Sequence, residues 1–365
     1  MKMSKVMQYV PIPNPLHTNR FCQFVISFFC LFAFSSLLFA APSPPPEISE
    51  WKYFKEHFIN GDGRVIDPVQ NDISHSEGQG YSMLLAVKFE DRPLFDKLLQ
   101  WTANNLQVRR DALSAWGWGK RPSGEWSVID YNNATDGDVL IAYALIQAGQ
   151  KWKQKSYAKH AAAIVQSLRT HIAAKLNDRT FLLSGYNGFA DAKGLVLNPS
   201  YQILSAYQAF AKIDDQKFWE KIHKDAQYLL DESSRNAASL PADWVLAEPS
   251  GSVKIYTDKS SRFGYEAIRV LLYLAWAKLP PPAGAKNVLD YYQKHGRIPV
   301  WFDLTKEEIS DETASAGFYA IFARVAEQLD NTNLATRLKE EAKQRLQNEK
   351  NDYYSHALYL LAGIE

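Results

Sequence analysis

Three stretches of this 365-residue chain place carboxylates among small residues just ahead of an apolar run. SHSEGQGYSM carries Glu77 and Tyr81, NNATDGDVLIAYAL carries Asp136 and Asp138, and SSRFGYEAIRVLLYLAW carries Glu266 and Arg269. An acid in the first turn of a helix is ordinary, since it complements the helix dipole while a residue such as Ser76 or Thr135 caps the open N–H groups. Capping does not account for Gly78 and Gly80, each of which costs about 1 kcal/mol relative to Ala inside a helix. Glycines at such positions let something approach the backbone closely. Carboxylates at neighbouring helix starts supply a general acid and a general base, the pair that cleavage of a glycosidic bond requires. Arg269 precedes an apolar run; a buried arginine needs an acidic partner, and Glu266 or Asp136 would serve.

Between the first two stretches lies LSAWGWGKRPSGEW, which reads as an irregular loop holding Trp116, Trp118 and Trp126. With Tyr186 in SGYNGF and Tyr201 in LNPSYQ, these rings form an expected stacking platform for flat apolar sugar faces. LPADWV, with Asp243 and Trp244, reads as structural. No His and Cys spacing fits a transition metal, NGDGRVID lacks the spaced acids and closing Glu of a calcium loop, and no glycine-rich loop follows a strand as a phosphate site requires. No metal or other cofactor is expected. His75 is the one histidine beside a candidate acid.

Apolar spacing of three and four residues predicts twelve helices, over 48–59, 76–88, 91–105, 134–150, 156–176, 199–212, 216–233, 263–279, 283–295, 313–328, 332–348 and 353–364, with no persuasive long strand. If consecutive helices run antiparallel, the odd-to-even connections share one end of the molecule and the even-to-odd connections share the other. Five odd-to-even links are long (60–75, 106–133, 177–198, 234–262 and 296–312), whereas the even-to-odd links are brief. Long loops carry function disproportionately. Glu77, Asp136 with Asp138, Tyr201, Glu266 and Glu312 all fall at helix starts on that end. The pattern predicts an all-α fold, a ring of six helical hairpins.

Lys2, Lys5 and Arg20 precede FVISFFCLFAFSSLLFA, an uncharged run that ends in small residues before APSPPP. Residues 1–40 therefore read as a secretory signal peptide, 41–47 as a short Pro-rich linker and 48–365 as one catalytic domain, placing the mature protein in the periplasm or outside the cell. The signal segment is the only expected membrane contact. Both cysteines, Cys22 and Cys30, lie within it, so the mature chain has neither a disulfide nor a thiolate site. With 41 basic residues against 40 acidic ones, the chain has no electrostatic reason to bind nucleic acid.

The motifs resemble glycoside hydrolase family eight, and within it the branch that accompanies bacterial cellulose synthase. ATDGDVLIAYAL looks like the family signature, SHSEGQGYSMLLAV is similar to the segment bearing its general acid, and LNPSY, LPADWV and EAIRVLLYL match in order across essentially the whole mature chain. The resemblance implies an (α/α)6 barrel, an inverting mechanism, a β-1,4-glucan substrate and a partner in the cellulose synthase machinery. It makes Glu77 the proton donor and Asp136 the residue that holds the sugar at the cleavage point. The family's base usually opens an Asp-Ala-Ile-Arg segment; that position is Glu266 here, one methylene longer. Gly78 and Gly80 would then let the glucan lie close over the helix start. A glucan-binding accessory with weak catalysis, or a family-eight enzyme acting on xylan or chitosan, are the alternatives that the residues leave open.

Overall fold

In the computed structural model, residues 46–306 and 308–364 are described, and twelve α-helices run through them. The signal segment over 1–40 lies outside the described residues. So does most of the 41–47 linker, whose Pro46 and Glu47 already belong to the first helix. In chain order the helices are α1 (Pro46–Phe58), α2 (Ser76–Lys88), α3 (Arg92–Asn105), α4 (Thr135–Trp152), α5 (Lys155–Ser167), α6 (Leu204–Phe210), α7 (Gln216–Ser233), α8 (Ile268–Trp276), α9 (Ala283–His295), α10 (Ala316–Gln328), α11 (Thr332–Leu346) and α12 (Tyr353–Ala362).

A helix that is apolar all round has to be enclosed, whereas one with a single apolar stripe can face water on its other side. α2, α4, α8 and α10 are of the first kind, and α3, α5, α7, α9 and α11 of the second. The even helices accordingly form the inner ring, touching in the order α2, α4, α6, α8, α10, α12 and closing back onto α2. Outside them α3 packs on α2, α5 on α4, α7 on α6, α9 and α11 on α10, and α1 on α12. The architecture is the expected (α/α)6 barrel. No helix among the described residues is long and apolar enough to cross a membrane.

Short links at one end turn through single non-glycine residues in the left-handed region, at Glu90, Lys153, Lys278 and Asp330. The long links at the other end contain short strands that the sequence reading did not resolve. β1 (Ser74–His75), β2 (Gly117–Lys120) and β3 (Trp126–Asp130) form one antiparallel sheet. β4 (Ala173–Leu176) pairs with β5 (Arg179–Leu182); β6 (Ala190–Asp191), β7 (Gly194–Leu197), β8 (Val245–Ala247) and β9 (Val253–Ile255) form a second sheet; β10 (Arg262–Phe263) pairs with β11 (Phe302–Asp303). Strands this short show too few alternations to register as a period of two.

Three helix predictions need correction. The segment 156–176 is helical only to Ser167, passes through a π-turn at Leu168–Ile172 and then becomes β4, whose hairpin turns at the left-handed Asn177. The segment 199–212 splits, because the Asn198 side chain caps a separate 3-10 turn at Pro199–Tyr201 by accepting from the Ser200 N–H. The segment 263–279 begins its helix only at Ile268: the buried Asp243 accepts from the N–H groups of Gly264 and Ala267 and holds the preceding residues in a turn.

Candidate active site

Glu77 stands in the first turn of α2, but the cap is not Ser76. The helix is capped by His75, whose ring Nδ1 accepts from the Gly78 N–H at 3.0 Å, while Ser76 Oγ is buried without a partner among the described residues. One turn later Tyr81 donates its hydroxyl to Glu77 Oε1 at 2.7 Å and lies 2.9 Å from the hydroxyl of Tyr273 on α8. The fully buried Tyr81 thereby links the candidate acid to the far side of the ring.

Asp136 stands at the same level on α4, one residue inside the helix rather than at its cap. Ala134 occupies the cap position without a side-chain bond, and the Thr135 hydroxyl donates to the Leu183 carbonyl at 2.6 Å. Asp136 Oδ1 accepts from the Gly137 N–H at 2.8 Å, and its Oδ2 accepts from Arg269 Nη1 at 3.0 Å. Burial pushes this carboxyl well above the ordinary range, and the charge of Glu266 pushes the same way. Asp138 has a different task. It accepts from the Ser114 N–H at 2.7 Å and from Asn133 Nδ2 at 3.1 Å, tying the long loop to α4, and burial raises its pKa to about 7.

Glu266 lies in the turn before α8, which the bonds to Asp243 fix in place. Burial pushes its pKa to about 7; the hydrogen bond donated by Asn198 Nδ2 at 2.8 Å opposes the shift and the nearby Asp243 reinforces it. Its side chain nonetheless keeps 35% of its surface exposed. The carboxyl is thus crowded by protein yet reachable by water, and solvent screening tempers the penalty on its charge.

Arg269, at 4% side-chain exposure, joins all three acids. Its Nη1 donates to Glu77 and to Asp136, and its Nη2 donates to Glu266. Both partners anticipated for Arg269 are present, and Glu77 is a third. Three ionised carboxylates around one guanidinium would leave a net charge of minus two in a largely buried site. Desolvation and mutual repulsion oppose this, and they push the Asp136 and Glu266 carboxyls upward. Carboxyls so raised can hold or take up a proton near neutral pH.

Among the other aromatic candidates, Tyr201 borders the cluster, its ring 5.7 Å from the Arg269 guanidinium and packed against Trp244. Trp116 adjoins α2, because its carbonyl accepts the Ser76 N–H at 3.0 Å, and its indole donates to Asp130 at 2.8 Å. Trp118 and Trp126 are not in an irregular loop: they stand on β2 and β3, stack on each other at 5.4 Å and share the Arg64 guanidinium at 4.5 and 4.6 Å. Trp118 also meets Trp101 edge-on, so it is packed as well as presented. Tyr186 is exposed, with Arg109 5.6 Å from its ring. Sequence reasoning missed Asn198, which bonds Glu266, and Tyr273, which meets Tyr81; Trp244, read as structural, stacks on Phe189 with Lys259 over both. Asn198 was visible in LNPSY, but nothing local marks its partner 68 residues away.

The model of the family described as Glycosyl hydrolases family 8 matches residues 24–364. The chain belongs to that family. An endoglucanase of Cellulomonas uda is 35% identical over 291 residues, covering 79% of this chain and 80% of that protein. A probable endoglucanase of Novacetimonas hansenii is 33% identical over 332 residues, covering 89% and 92%. The crystal structure of endoglucanase Cel10 from Klebsiella pneumoniae, a family 8 glycosyl hydrolase, superimposes with a TM-score of 0.75 at 34% identity, covering 86% of this chain and 97% of that one. As a family 8 glycosyl hydrolase the protein has its acids where the barrel's inner helices begin, each carried by a different helix or the turn leading into it.

Proposed function

We propose that the protein is an inverting endo-β-1,4-glucanase in which Glu77 is the general acid, Glu266 the general base and Asp136 the residue that orients the sugar at the cleavage point. The observation that carries the reading is the convergence of these three carboxyls on the single guanidinium of Arg269 in a family 8 chain. Glu77 gives its proton to the glycosidic oxygen as the bond to the anomeric carbon breaks. Glu266 takes a proton from a water that attacks the same carbon from the opposite face. The new hydroxyl is therefore α, and the proton gained by Glu266 must pass through solvent to restore Glu77. Asn198 holds the Glu266 carboxyl from one side, leaving its exposed side for the water.

Following the anomer first released from a soluble cellulose derivative by NMR tests the mechanism: the α anomer is expected, and an initially β product overturns it. Reducing-end assays on carboxymethyl cellulose, xylan and chitosan test the substrate, with glucan the preferred polymer. The apolar N-terminal run and the family resemblance support a periplasmic or secreted location and a partnership with the cellulose synthase machinery. Detection of the protein in a periplasmic fraction, and its co-purification with that machinery, are the corresponding measurements.

A further inference from the structure

The cap of α2 is an unusual choice for its position. Ser, Thr, Asp and Asn satisfy a helix start with one small oxygen, whereas this helix uses a buried imidazole, 9% exposed, on β1. Nδ1 accepts the Gly78 N–H and so carries no proton; the proton of the neutral ring is on Nε2, which faces Asp67 Oδ2 at 3.7 Å. Asp67 is itself fixed, accepting from the N–H groups of Val69 and Gln70 and from Gln70 Nε2. Across the ring stands Tyr353 of α12, edge-on at 5.7 Å, its buried hydroxyl without a partner among the described residues. Gly78 is pinned between them, since a Cβ there would lie 2.8 Å from the Tyr353 hydroxyl and 3.2 Å from His75 Cε1.

The two oxygens of Glu77 are unequal. Oε1 accepts from Tyr81 and Arg269. Oε2 has no donor among the described residues, and the His75 nitrogen facing it at 3.9 Å is Nδ1, whose single lone pair is taken by the Gly78 N–H. An imidazole protonated at both nitrogens would set a positive charge beside Glu77 and favour its ionised form, and its Nδ1–H would oppose the Gly78 N–H. The neutral ring does neither.

We propose that His75 is a positioning residue for the general acid: with its proton held on Nε2 toward Asp67, it fixes the first turn of α2 through a neutral acceptor and leaves Glu77 Oε2 as the oxygen that carries the proton to the leaving group. This rests on Glu77 being the acid.

The test compares an unactivated substrate, cellopentaose, with 2,4-dinitrophenyl β-cellotrioside, whose leaving group departs without protonation. His75→Asn keeps a capping acceptor but removes the ring. It is expected to lower kcat on cellopentaose by about tenfold or more with KM nearly unchanged, while the dinitrophenyl glycoside is cleaved at close to the parent rate. Equal losses on both substrates, or no loss on either, overturn the proposal. If His75→Asn does not fold, Asp67→Asn leaves ring and cap in place and is read the same way, with a smaller loss expected. Glu77→Gln separates the two claims: if it loses activity equally on both substrates, the acid assignment fails, whereas a leaving-group-dependent loss in Glu77→Gln with none in the His75 variant removes only the role of His75.

Discussion

One guanidinium holding three carboxylates makes the site tense by construction, and the tension has a sign. Glu266 binds its proton more tightly folded, at about 7, than a free Glu does at 4.5. Its contribution to stability is therefore full below the unfolded value and is lost as pH rises through about 7. The same titration runs the other way for catalysis, because a base must be ionised to take a proton. Activity should climb through about pH 7 on its acidic limb while this part of the fold's stability declines. Glu266→Gln is expected to lower turnover at least about a hundredfold and to raise the thermal midpoint at pH 8 relative to the parent, measured by circular dichroism. Glu77→Gln keeps size and hydrogen bonding, so a loss of at least about a hundredfold on unactivated glucan, with fold and substrate affinity kept, is expected in steady-state assays.

At the scale of elements, the contact between α2 and α4 decides how far apart the acid and Asp136 stand. A Cβ on Gly137 would lie 2.2 Å from Ser76 Oγ and 2.8 Å from the Glu77 backbone nitrogen, and one on Gly80 would lie 2.7 Å from Leu140 Cβ. The close approach that the glycines of SHSEGQGYSM announce is that of the neighbouring helix and of Tyr353, rather than of a sugar chain. Gly137→Ala gains about 1 kcal/mol of helix propensity, but the clash with fixed backbone outweighs it. A net loss of roughly 1 to 3 kcal/mol in denaturant unfolding is expected, with kcat on carboxymethyl cellulose down about tenfold or more as Glu77 is displaced. The twelve helices were legible because long apolar periods dominate them, and Glu77, Asp136 and Glu266 were legible because acids beside glycines at helix starts are chemically conspicuous. Caps were not legible: Ser76 and His75 are both able to accept, and only the register of β1 against β2, with His75 opposite Gly117, turns the ring rather than the hydroxyl toward Gly78. Nor was the turn at Glu266, whose cause is an aspartate more than twenty residues upstream.

Considered whole, the barrel is a closed circuit with its two ends specialised. Ring closure falls to α12, which packs on α1, α2 and α10 and whose Tyr354 hydroxyl donates to the Tyr265 carbonyl beside Glu266, so the last helix of the chain braces the segment that bears the base. At the opposite end Lys88, the last residue of α2, meets both Glu47 and the Gly363 carbonyl. The first and last described turns of the chain therefore lie together at the short-link end. Lys88 lies eleven residues after Glu77 on α2, and at about 1.5 Å per residue that places them about 16 Å along the helix from Glu77. The molecule thus has a natural mounting face. Fixed to a bead, a membrane surface or another enzyme through that face, it would hold its acids outward, and a polymer could be threaded past them without the attachment standing in its way.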